Sequence, residues 1–141
     1  MIDGWPQVSD AVVDWYGTKK LAYEYIKRAQ KPFMMMMDEP DEEGNITLLA
    51  VNDSRKPVTV SYTVENALTG EKLAEGSVTC APDTNENVVT LPETATYYLI
   101  RWTGDETGLN HFVGKIGDTV KPEEYTAFMK TAELWDKREG F

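Results

Sequence analysis

Apolar and polar residues alternate most clearly from Val58 to Glu65, where Val58, Val60, Tyr62 and Val64 are separated by Thr59, Ser61 and Thr63. A period of two predicts a strand with one face buried and one face wet. Lys72 to Cys80 answers it with Ala74, Val78 and Cys80 on one face, and the Asn66–Gly70 connection ending in Thr-Gly makes the two runs a hairpin. Ile46 to Asn52 is apolar on both faces, which predicts a central strand. Phe33–Met37, Asn87–Leu91, Thr96–Trp102 and Asn110–Lys115 complete seven short runs divided by turn residues. In the sixth, Tyr98, Ile100 and Trp102 should face the core, with Tyr97, Leu99 and Arg101 opposite and Tyr97 pointing outward. The expected fold is mainly β, an immunoglobulin-like sandwich of about seven strands.

Two segments change the period to that of a helix. Between Lys19 and Gln30, Leu21, Ala22, Tyr25, Ile26 and Ala29 form one apolar stripe, and Pro32 stops the run. Between Lys121 and Trp135, Pro122 suits a first turn, and Glu123 and Glu124 suit the positive end of the helix dipole. Its stripe is Tyr125, Phe128, Met129, Ala132 and Trp135. The sandwich is therefore expected between an N-terminal helix and a short C-terminal one.

Composition narrows the function. With 141 residues and 41% hydrophobic content the chain can form one domain with a proper core. A net charge of −10 argues against nucleic acid or an anionic membrane as a partner. The single cysteine, Cys80, cannot form an internal disulfide and reads as a small buried residue. The acidic run Asp38, Glu39, Asp41, Glu42 and Glu43 lacks the ligand spacing of a calcium loop and reads as a solvated turn. His111, the one histidine, reads as structural, and no metal or cofactor is expected. Tyr62, Tyr98, Trp102, Tyr125 and Trp135 fall on apolar faces, so core packing accounts for them without a stacked sugar.

The opening stretch adds a resemblance. Trp5-Pro6, Ser9, Asp14-Trp15-Tyr16-Gly17, Lys20, Tyr23, Lys27 and Arg28 resemble the end of the catalytic barrel of glycoside hydrolase family 2. That family includes β-galactosidases, β-glucuronidases and β-mannosidases, and immunoglobulin-like domains commonly follow its barrel. Trp15 stands where the family usually has tyrosine. The resemblance implies that residues 1–32 are a remnant of the barrel's end, with its last helix. Residues 33–120 would be the sandwich, and 121–141 a C-terminal helix and tail.

Both catalytic glutamates of the family would lie outside this sequence, so no catalytic residue is expected in it. Trp5 would line the sugar pocket only when the full barrel surrounds it. The implied role is a non-catalytic accessory domain of an enzyme that hydrolyses β-glycosidic bonds with two glutamates. Its expected partner is the parent's catalytic barrel, and carbohydrate is met only through that parent. An autonomous carbohydrate-binding module and a protein-interaction domain are the alternatives. The compartment, cytoplasmic or secreted, stays open. The first helix should be retained by laying its stripe on the sandwich or on a second copy, since a helix of about a dozen residues is marginal alone.

Overall fold

The structure, a computed structural model, describes residues 12–13, 16–17, 19–114 and 120–134. In chain order the elements are α1 (Leu21–Ala29), β1 (Phe33–Met37), β2 (Asn45–Asn52), β3 (Val58–Asn66), β4 (Lys72–Cys80), β5 (Thr84–Pro92), β6 (Tyr97–Gly104), β7 (Gly108–Val113) and α2 (Pro122–Thr131). The strands make two antiparallel sheets, ordered β1-β2-β5 and β4-β3-β6-β7. This is the expected sandwich with a helix at each end of the chain. Its second strand is central in its sheet, and its third and fourth form the expected hairpin, with Val58 opposite Cys80 and Tyr62 opposite Gly76.

Alternation places the core. Val58, Val60, Tyr62 and Val64 from β3 and Tyr98, Ile100 and Trp102 from β6 meet Phe33, Met35, Met37, Ile46, Leu48 and Ala50 from the facing sheet. Across the four-stranded sheet, Gly76, Tyr62, Trp102 and Gly108 stand in one row. A Cβ on Gly76 would press on the Tyr62 ring, and one on Gly108 would overlap the Trp102 indole. The two edge-strand glycines leave room for two large rings in the row between them.

Buried polar groups tie the corners. The Tyr98 hydroxyl accepts the backbone N–H groups of Thr94 and Ala95, each at 2.9 Å. This tyrosine corner marks the β5–β6 crossover of a Greek-key sandwich. Fully buried Asn52 donates to the carbonyls of Lys56, Cys80 and Ala81 and accepts from Ser54, so its amide is satisfied at both ends. Cys80 is buried and free.

A second apolar cluster lies on the outer face of the four-stranded sheet. Tyr97 and Leu99 of β6 are buried there beneath Phe128, Met129, Ala132 and Leu134, with Leu21, Leu109, Val113 and Tyr125 packed around them. The expectation for Tyr97 is overturned. It points away from the main core, as alternation requires, but α2 covers it, and its ring stacks on Phe128 with centroids 4.6 Å apart.

Candidate functional surface around the two helices

The outer face of the four-stranded sheet is divided. Toward Thr59 and Thr79 it is bare and polar, with Ser61, Thr63, Glu75, Arg101 and Thr103 lining a shallow cavity of about 500 Å³. Toward Tyr97 and Val113 it is apolar, and the helices cover it. Register explains the division: Ser61 lies opposite Thr103, whereas Leu99 lies opposite His111 and Tyr97 opposite Val113.

The last turn of α2 is finished by a Schellman motif. Leu134 N–H donates to the Met129 carbonyl and Glu133 N–H to the Lys130 carbonyl, both at 2.9 Å, with Glu133 at φ 58°. Leu134 and Met129 are both fully buried, supplying the apolar contact that accompanies this cap. The turn leaves the Ala132 carbonyl pointing at α1, where the Arg28 guanidinium donates to it. One helix thus supplies a cationic cap to the C-terminal end of the other.

The way α1 sits is a correction to the sequence expectation. Of the five stripe residues only Leu21 packs into the outer cluster. Ala22, Tyr25, Ile26 and Ala29 are exposed, with Tyr25 at 40% and Ile26 at 44%, while Glu24 is buried at 6% and Arg28 is half-buried. The helix lies on the sheet by the side that carries Leu21, Glu24 and Arg28. Ala22, Ile26 and Ala29 of its stripe are turned to one flank, where no described residue covers them, while Tyr25 at the stripe's edge reaches His111. The physical reason is the polar groups on offer: the Ala132 carbonyl holds Arg28, and His111 holds Tyr25 through a 2.8 Å hydrogen bond between Tyr25 Oη and His111 Nε2.

His111 stands in the middle of β7, not at its start, where three elements meet. Its ring takes Tyr25 edge-on at 5.1 Å and Phe128 at 5.5 Å. Burial, with the positive charge of Arg28 second, pushes its pKa down from 6.5 to about 4. Burial also lowers the Arg28 pKa, against the opposing pull of Glu133 and Glu24. A cavity of about 290 Å³ beside this joint is lined by Lys27, Arg28, Lys31 and Arg101 and by the carboxylates of Glu24 and Glu133. Arg101 is engaged with Glu65 at 3.1 Å.

Trp5, the one sugar-binding position implied by the resemblance, lies outside the described residues, as do Pro6, Ser9, Asp14, Trp15 and Trp135. The acidic run forms the β1–β2 turn. There the Asp41 carboxylate accepts the N–H groups of Asn45 and Glu43, both at 2.9 Å, and the bond from Asn45 leads in lowering its pKa. These acids shape a loop. Among the described residues no three His, Cys, Asp or Glu side chains gather where a metal could bind. The strand aromatics Tyr62, Tyr97, Tyr98 and Trp102 are all buried.

No family model matches the chain, and no curated protein matches it. A solved structure does. The fold is similar to part of the β-D-mannosidase from Dictyoglomus thermophilum, with a TM-score of 0.59 and 18% identity over 79% of this chain. The match covers 15% of the mannosidase chain, so this chain spans a small part of that enzyme's length. At that identity the likeness establishes the fold.

Proposed function

We propose that this chain is a non-catalytic accessory module of a family 2 glycoside hydrolase, packing against and buttressing the catalytic barrel of its parent. The observation that carries the reading is the turned stripe of α1. A helix directly after Asp14-Trp15-Tyr16-Gly17 leaves Ala22, Ile26 and Ala29 exposed for a body other than its own sandwich. In the resembled family the helix at this place closes the barrel. The likeness to a β-mannosidase supports the same reading from the fold side. In this proposal residues 1–32 belong to the barrel's end, 33–120 are the buttress, and 121–141 are a C-terminal helix and tail. Trp5 would reach sugar only inside the assembled barrel.

The parent would cleave β-glycosidic bonds with two glutamates carried elsewhere. The burial of the strand aromatics speaks for a scaffold over a sugar-binding module, because a stacking platform needs rings exposed together. The test is in two parts. The reading frame upstream of Met1 should encode barrel sequence with both glutamates. This chain alone should release no nitrophenol from nitrophenyl β-mannoside, β-galactoside or β-glucuronide. An upstream frame without a barrel, or turnover abolished by replacing a carboxylate of this chain, overturns the proposal.

A further inference from the structure

The joint between α1 and the sheet has a chemical asymmetry. His111 Nε2 is bonded to Tyr25, whereas Nδ1 is buried and has no hydrogen-bond partner. A neutral imidazole carries one N–H and one lone pair, so one hydrogen bond leaves a single group unpaired, at a modest cost. A protonated ring must donate from both nitrogens. Its Nδ1–H would then face no acceptor, and its charge would lie near the Arg28 guanidinium, which the Ala132 carbonyl holds in place.

The titratable and charged groups gathered around this joint are Tyr25, Glu24 and Arg28 from α1 and Tyr125 and Glu133 from α2. From β6 come Tyr97, whose buried hydroxyl is also unpartnered, and Arg101, which is turned to Glu65. Glu133 and Glu24 both act electrostatically on Arg28.

We propose that His111 is an acid-sensitive joint, holding α1 on the outer face of the sheet while its ring is neutral and releasing the helix when the ring takes a proton. α1 suits such a release. It buries Glu24 and part of Leu21, leaves Ala22, Ile26 and Ala29 outside, and is tied at Tyr25 and Arg28 to groups on two other elements. The inference concerns this chain alone and holds whatever body the stripe meets.

The sign follows from linkage. The docked ring has the lower affinity for a proton, its pKa near 4 against an ordinary 6.5, and release of α1 moves it toward the ordinary value. Docking is therefore unaffected above pH 6.5, weakens as pH falls toward 4 and levels off below it. Between pH 7 and pH 5 the ratio of released to docked α1 should rise, by at most roughly twentyfold.

The single histidine makes the test clean. Amide-exchange protection factors of Leu21–Ala29 are measured from pH 7 to pH 4 in the whole chain, with the His111 ring protons followed by NMR. The expected result is a fall in α1 protection that tracks the ring's titration, while the inter-sheet amides stay protected. His111→Gln, neutral and able to bond Tyr25, should remove the histidine-linked part of the fall and leave that from carboxylates. If His111→Gln does not fold, Tyr25→Phe serves: α1 protection should then be low already at pH 7 and should lose its His111-linked pH dependence. An identical pH profile in the wild type and His111→Gln overturns the proposal. So does a docked ring titrating near its ordinary value, or undiminished α1 protection in Tyr25→Phe.

Discussion

The molecule holds two apolar clusters of different construction. The inter-sheet core draws on both sheets, and its strand residues alternate with polar positions along β3. The outer cluster has one layer of sheet, Tyr97, Leu99, Leu109 and Val113, under a cover from α2 and the edge of α1. The first is closed by a hydrogen-bonded sheet on each side; the second is closed by two short helices at opposite ends of the chain. The difference teaches where cooperativity should stop. Losing a side chain between the sheets undoes the fold, whereas losing one beneath the helices undoes the cover.

Trp102→Ala should sharpen that contrast most. The indole is 3% exposed, meets Phe33 edge-on, and fills the row between Gly76 and Gly108. Removing it should cost about 3–5 kcal/mol. All probes, helical and strand alike, should lose structure in one denaturant transition at a lower midpoint. A helical signal outlasting the sheet would contradict the account.

Phe128→Ala takes out the centre of the other cluster, where Tyr97, Tyr125 and His111 all contact the ring. Its effect on the sandwich should be smaller, about 2–3 kcal/mol, because the helices can open locally before the sheets do. Exchange protection should collapse in α1 and α2 and persist in β2, β3 and β6. A uniform loss across both clusters would mean that they fold as one unit.

The same contrast separates what could be read in the sequence from what could not. The period of two along Val58–Val64 names its own buried face, and the hairpin to Lys72–Cys80 follows from the turn residues between them. Tyr97 has the right parity but the wrong surroundings. Alternation tells which face a residue is on, not which distant segment covers that face. Only pairing the stripe of α2 with the apolar outer half of β6 could have placed it. The tyrosine corner did leave a signal, a tyrosine entering the sixth strand four residues after Thr94. The α1 stripe misled for a different reason. A hydrophobic pattern marks a face suited to burial, yet says nothing of whether its own domain covers that face. Here two polar contacts, Tyr25 with His111 and Arg28 with Ala132, decided which side of the helix faces the sheet.

The smallest expected effect bears most on function. Ile26 is 44% exposed on the outward stripe, so Ile26→Asp should change the stability of this chain by no more than about 0.5 kcal/mol. If the stripe belongs against a catalytic body, the same substitution buries a carboxylate without a partner there, and the full-length parent should lose several kcal/mol or fail to assemble. The measurement is a pair of melting curves, one for this chain and one for its parent, each with and without Ile26→Asp. A near-zero shift in the first and a large one in the second is the expected pattern. Equal shifts in both would mean that Ile26 serves the module alone, and the outward stripe would then cease to support a missing partner.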